Sequence, residues 1–402
     1  MIRFLTAGES HGKALVTIIE SFPSNLTIEI DKINFQLKRR QSGYGRGLRM
    51  KIETDTVEII SGIRFKKTLG SPIALKIQNK DWANWIDLMS PESINKVEKI
   101  TIPRPGHADL TGTSKYNFND IRNSIERSSA RETAARVAAC SIARIFLEEF
   151  GISVGSYVES IGGVYAKNDF SQKLFSNELP GNFSGSFLIN EADKSEVRVL
   201  NSELEKRIIS KIKSAKKKGD TLGGTFYTVA TGVPPGLGSF IQYDLRLDAD
   251  IASSIMSINA VKAIEIGTGF LSADSFGSAS HDEIIKVADG YSRRTNRAGG
   301  IEGGISTGLP IIVRAAMKPI ATLMKPIQSV DLKDGTAVDA RRERSDFVAV
   351  PACAVIAESM LAWVIAKHFL NKFGGDSMEE TKDNYSSYMK KLNSRIKKNF
   401  RK

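Results

Sequence analysis

The chain has 402 residues, 41% of them hydrophobic and 25% charged, with a formal net charge of +12. These ordinary fractions describe a globular protein with a large core and exclude a disordered or fibrous chain. Its two cysteines, Cys140 and Cys353, sit in separate Ala-rich runs that match no metal spacing, so buried free thiols in a reducing cytoplasm are expected, and no metal site.

From the N-terminus, short β-branched runs predict strands at residues 3–6, 14–20, 26–30, 57–63, 73–78, 224–231 and 309–315. Two long helices stand out. "SSARETAARVAACSIARIFLEEFG" carries Ser129 and Glu132 in capping-box spacing and stops at Gly151. "VPACAVIAESMLAWVIAKHFLNKFGG" places Pro351 in a first turn and ends at Gly374 and Gly375. Small residues around much of both helices permit packing on two sides, so they are expected as a layer between sheets. The start of the chain shows no signal-peptide pattern, and no apolar run reads as a membrane span, so neither export nor insertion is expected. Without a Pro/Ser linker, residues 1–375 are expected as one unit. Residues 376–402 form a basic tail whose stretch from Met389 onward holds seven Lys and Arg and no acid, as in a solvated, frayed helix.

"GESHGK" fits G-x-S-x-G, the turn that presents a nucleophilic serine in hydrolases, here Ser10. That turn needs a following helix, but residues 14–19 continue as a β-branched run. The P-loop spacing fails as well, with three residues between the glycines instead of four. His11 and His107, two of only four histidines, lie in loops of glycines and charges and suit proton transfer. His368, mid-helix beside Lys367, reads as structural. Basic charge concentrates in residues 37–51, where Lys38, Arg39, Arg40, Arg46, Arg49 and Lys51 surround a Gly-rich turn with one aromatic, Tyr44. Such a loop suits a small polyanion better than nucleic acid, which is not expected as a partner. Arg104, Arg127, Arg131 and Arg344 extend the set, and helix starts near Ser128 and Ser129 and near Ser345 and Asp346 offer N–H groups to phosphate. Glu126-Arg127-Ser128 and Glu343-Arg344-Ser345 precede the two helices and suggest a pseudo-two-fold aiming Arg127 and Arg344 at one site. In "GGIEGGISTG" the glycines imply either a tight turn or a backbone lying close to a ligand. Residue types alone leave lyase, isomerase and transferase open.

Together, "GESHGK", "RRQSGYGRGLRM", "RPGHADLTG", "ERSSARETAARVAA", "AGGIEGGISTG", "MKPIAT" and "RRERSDFVAVPACAVIAES" resemble the chorismate synthase family, in family order. The resemblance implies an α+β, single-domain β-α-β sandwich with a helical layer between antiparallel sheets, assembled as a homotetramer. It implies a lyase that converts 5-enolpyruvylshikimate 3-phosphate to chorismate and phosphate by 1,4-anti elimination, the last common step of the shikimate pathway, with reduced FMN. Carried over by position, Arg127, Ser128, Ser129, Asn259, Ala260, Gly303, Lys318, Pro319, Ile320, Ala321, Thr322 and Arg344 resemble the flavin-binding set. Ser10, His11, Arg40, Arg46, Arg49, Arg104, Arg131 and Arg344 resemble the substrate-binding set. His11, His107 and Asp346 resemble the catalytic groups: His11 for the leaving phosphate, His107 for the reduced flavin, Asp346 as proton relay. Positions like Arg40 and Arg46 are associated with NADPH in bifunctional members; an external flavin reductase is the expected reductant here. Ala263 stands where the family often has glycine.

Overall fold

The computed structural model describes residues 1–47, 54–93, 96–167, 169–287, 290–342 and 346–399. Arg49 and Arg344, both assigned to the site, lie outside the described residues, and the expected pairing of Arg127 with Arg344 falls there too.

Strands β1 (Arg3–Ala7), β2 (Ala14–Glu20), β3 (Val57–Ser61) and β4 (Ile73–Gln78) form an antiparallel sheet in the order β1–β2–β4–β3. Its pleat explains its inner face. Leu15, Thr17 and Ile19 of β2 pair with Ile77, Leu75 and Ile73 of β4, and all six are buried while the alternate residues look outward. Strands β5 (Ser153–Ile161), β6 (Val164–Tyr165), β7 (Gly224–Thr231), β8 (Val261–Ile266) and β9 (Ile311–Met317) form a second antiparallel sheet, in the order β8–β9–β7–β5–β6.

The described helices that position the site are α1 (Ile30–Gln41), α2 (Asp109–Tyr116), α3 (Arg122–Ser128), α4 (Thr133–Glu148), α5 (Leu247–Met256), α6 (Val350–Phe373) and α7 (Met378–Asn399). Helices α4 and α6 pack on each other. Helix α4 also covers β2 and β4, and α6 covers β5 and β7, so a helical layer separates the two sheets. Ala134, Ala138, Ala139 and Ala143 of α4 and Ala354, Ala357 and Ala362 of α6 are fully buried, and their small side chains let the helices approach closely. Both thiols are buried here, and burial pushes the Cys353 thiol up to about 12 and Cys140 higher still.

Several expectations change. Residues 26–30 are not a strand: Thr27 makes one isolated bridge to Lys67, and helix α1 begins at Ile30, burying Ile33 and Leu37 on one face. The capping box is not reciprocal. Ser129 Oγ accepts the Arg131 N–H at 3.3 Å, but Glu132 turns away to Thr6 Oγ1 at 2.9 Å and Arg136 Nε at 2.9 Å. The run 309–315 starts two residues later, at Ile311, because Pro310 precedes the ladder. Helix α6 is long and apolar enough to cross a bilayer, contrary to the sequence reading, but 94% of its most apolar stretch is buried inside the protein. Glu358, completely buried at its centre, accepts from Arg39 at 2.6 Å, Arg198 at 2.9 Å and Arg144 at 3.3 Å, so α6 is a core helix built around a charge cluster. His368 meets Asp250 of α5 at 3.1 Å in a structural contact. Helix α7 packs Tyr385 among Phe150, Phe369 and Phe373.

Candidate active site

The "GESHGK" segment is the turn between β1 and β2, and the strand that follows it confirms the missing elbow helix. Gly8 has φ +106° and a Cβ there would stand 2.3 Å from the Ala14 carbonyl oxygen, so its close approach is to the chain itself. Ser10 is buried; its N–H donates to the Glu126 carbonyl at 3.0 Å and its Oγ accepts from Ser129 Oγ at 3.2 Å. Beside it, His11 places Nδ1 2.9 Å from Glu126 Oε1, while its backbone N–H donates to Oε2 at 2.8 Å. Its ring stacks on Trp85 with centroids 3.7 Å apart.

Asn79 joins this turn to the arginines. Its Nδ2 donates to the carbonyls of Gly12 at 2.7 Å and Glu9 at 3.1 Å, and its Oδ1 accepts from Arg131 Nε at 3.0 Å. Arg131 then donates to Asp55 Oδ1 at 2.5 Å, and Arg40 donates to Asp55 Oδ2 at 2.9 Å. Burial alone would raise the Asp55 carboxyl, but the Arg40 and Arg131 guanidiniums outweigh it and hold it below the usual carboxylate range. Burial lowers Arg40, with Asp55 opposing, and the like charges of Arg131 and Arg46 add to the lowering. Arg46 pairs with Asp346 Oδ2 at 2.9 Å, and the Gly47 N–H donates to Asp346 Oδ1 at 2.5 Å. Among the described residues, the expected Ser10, His11, Arg40 and Arg131 thus form one connected group, and the expected Arg46 and Asp346 form an ion pair of their own.

His107 follows the same plan as His11. Its Nδ1 lies 2.5 Å from Asp109 Oδ1, and Asp109, fully buried, also accepts from Arg104 Nε at 2.8 Å and Nη2 at 3.0 Å. Burial opposes ionisation of Asp109, but His107 and Arg104 hold its carboxyl far below the usual range. A Ser124 Oγ bond to the Ala108 carbonyl at 3.0 Å ties this loop to α3, the helix that carries Glu126. Lys318 Nζ donates to the Gly106 carbonyl at 2.5 Å and Lys318 N–H to the Ala260 carbonyl at 2.9 Å; Asn259 Nδ2 donates to the Ser128 carbonyl at 3.0 Å. Ser128, Ser129, Asn259, Ala260 and the segment from Lys318 through Pro319, Ile320 and Ala321 to Thr322 are therefore drawn together beside His107. Ala260 holds φ +67°, a costly conformation for a residue with a Cβ. Asn259 Oδ1 and Thr322 Oγ1 are buried without a hydrogen-bond partner among the described residues. Orphaned polar atoms on two adjoining segments fit a bound flavin, whose amide edge carries donors and acceptors.

Two further members of the expected flavin set, Arg127 and Gly303, are held by contacts within the chain. Arg127 donates to the carbonyls of Gly8 at 3.0 Å and Thr6 at 2.9 Å, locking α3 to β1. Gly303 sits with Gly304 in a two-residue turn between paired Ile301–Glu302 and Ile305–Ser306, both glycines at positive φ. A Cβ on Gly303 would meet nothing within 4 Å. The glycine run is thus a hairpin, and its close contacts at Gly299 and Gly300 are to the backbone of Gly267 and Pro310.

Sequence reasoning missed Glu126 as partner of His11, Asp55 between the arginines, Asn79 and Trp85. Only Asp109 carried a local signal, two residues from His107.

A β-α-β sandwich with paired histidines among buried arginines defines an enzyme for a small polyanion. The family model described as chorismate synthase matches residues 2–370. A chorismate synthase of Chloroherpeton thalassium is 53% identical over 394 residues, covering 96% of this chain and 99% of that protein; one of Aquifex aeolicus is 51% identical over 98% of both. A crystal structure of chorismate synthase superimposes with TM-score 0.78 at 43% identity, covering 98% of each chain. The chain belongs to the chorismate synthase family. It is a lyase of the shikimate pathway and aromatic amino acid biosynthesis, converting 5-enolpyruvylshikimate 3-phosphate to chorismate, and its family uses reduced FMN.

Proposed function

We propose that the group around His11 is the substrate subsite and the group around Lys318 and Asn259 the flavin subsite of this lyase. The observation that carries the reading is the convergence beside His11: Arg40 and Arg131 both meet the single carboxylate of Asp55, and Asn79 ties Arg131 to the His11 turn. The substrate's phosphate and carboxylates supply the complementary negative charge. Phosphate gains charge as its C–O bond breaks, so the arginines and a proton on His11 Nε2 act more strongly on the transition state than on bound substrate. Reduced FMN, when bound, supplies the electron density that the 1,4-anti elimination draws on. Arg104 holds Asp109, which orients His107 to hold a proton at Nε2 beside the flavin subsite. Asp346, held by Arg46 and the Gly47 N–H, passes on the proton released in the reaction.

We assign flavin reduction to an external reductase. Arg40 and Arg46, the positions associated with NADPH, belong to the group assigned above to the substrate. The homotetramer is supported by broad apolar exposure: Leu5 and Ile18 are cross-strand partners facing out from the first sheet, and Phe240, Ile241, Phe270 and Phe276 are each at least 73% exposed. The free thiols fit a cytoplasmic enzyme. Anaerobic assay with chemically reduced FMN should give chorismate, whereas oxidised FMN plus NADPH should give none; equal rates would contradict the external reductant. Light scattering should show four chains per particle, and a monomer would contradict the assembly.

A further inference from the structure

Behind His11 lies a carboxylate to which the proposed roles give no part. Glu126 sits near the end of α3 with its side chain 2% exposed. It grips the turn at three points. Its carbonyl accepts the Ser10 N–H at 3.0 Å, Oε2 accepts the His11 N–H at 2.8 Å, and both carboxylate oxygens lie within 3.0 Å of His11 Nδ1. Trp85 covers one face of the imidazole at an interplanar angle of 19° and is itself held by Asp81 through Nε1 at 2.8 Å. Arg122 lies over the Trp85 ring and 3.9 Å from Glu126 Oε1, which keeps a positive charge beside the buried carboxylate.

A carboxylate at one imidazole nitrogen decides where the ring proton sits. With Glu126 accepting, Nδ1 carries hydrogen, so the further proton that His11 offers the leaving phosphate sits on Nε2. Glu126 donates nothing to the ring and lies behind it, so it acts through His11. The indole prevents the ring from swinging away.

We propose that Glu126 is a positioning residue for the elimination, holding the His11 imidazole with its Nδ1 proton inward and Nε2 toward the leaving phosphate. This rests on the role proposed above for His11, and the experiment separates the two. Wild type, Glu126→Gln, Glu126→Asp and His11→Ala are assayed anaerobically with reduced FMN and enolpyruvylshikimate phosphate. Glutamine can still accept the His11 N–H but removes the charge that fixes the tautomer. Glu126→Gln should lower kcat by about 10- to 100-fold with KM changed less than about threefold, as for loss of a group that orients a ligand rather than binds substrate. Glu126→Asp, which keeps the charge, should fall between the two. ¹⁵N spectra of histidine-labelled protein, with the His11 signal assigned by its loss in His11→Ala, should show Nδ1–H in the wild type and loss of that preference in Glu126→Gln.

If His11→Ala loses turnover while Glu126→Gln keeps kcat within about threefold of wild type, the positioning role is wrong and the His11 role stands. If His11→Ala keeps turnover, the reading beneath it fails. Should Glu126→Gln not fold, Glu126→Asp decides: a kcat lowered at unchanged KM supports the role, and a kcat equal to wild type overturns it.

Discussion

Asp55 and Arg131 meet at 2.5 Å beneath the site, and the other oxygen of the same carboxylate holds Arg40 at 2.9 Å. One buried anion therefore keeps two guanidiniums apart from each other and aligned beside the His11 turn. Asp55→Asn leaves two buried cations facing one another. It should cost about 3–5 kcal/mol of stability, the range for breaking a buried ion pair, read as a lower urea midpoint. A midpoint unchanged from wild type would show that the arginines are held by other contacts.

Acid stability should report the same carboxylates. Asp55 and Asp109 are held below their ordinary range, and Glu358 is pulled down to about 2: burial opposes its ionisation, but Arg39, Arg198 and Arg144 prevail. Their folded values lie below the unfolded values of roughly 3.9 for Asp and 4.3 for Glu. Their contribution is therefore fully present above the unfolded values and is lost as pH falls through the folded ones. The urea midpoint should be flat from neutral pH down to about 5 and then drop steeply toward pH ~3. A midpoint that rose on acidification would reverse the sign of this argument.

His107→Ala removes the group proposed to serve the flavin subsite but leaves Arg104 and Asp109 paired at 2.8 Å. Turnover should fall by about 10²-fold or more, with substrate affinity retained, as measured by steady-state kinetics and equilibrium binding. Near-wild-type turnover would remove His107 from the reaction.

Much of this architecture was legible because it follows local periodicity. The strands Ala14–Glu20, Ile73–Gln78 and Gly224–Thr231 match their β-branched runs, and Val350–Phe373 stops where Gly374 and Gly375 predict. Strand Ser153–Ile161 was not legible: eight of its nine residues are buried, so no alternation shows, and its Gly155, Ser156, Glu159 and Ser160 read as polar loop. Ser156 is polar because it donates to Glu358, 202 positions away. Helix Ile30–Gln41 was hidden by the β-branched run leading into it. In the site, loop histidines and arginines were visible as residue types, but their partners were not. Glu126 is 115 positions from His11, and Asp55 is 76 from Arg131; only the fold brings them together.

In the proposed mechanism the turn at His11, beside Arg131 and Arg40, performs the elimination. It is tested most directly by measuring phosphate and chorismate formed anaerobically from enolpyruvylshikimate phosphate with reduced FMN, in wild type and His11→Ala. Wild type should release both products in equal amounts, and His11→Ala should be slower by about 10²-fold or more, the scale of a lost acid–base group. Equal rates for the two proteins would place the chemistry elsewhere.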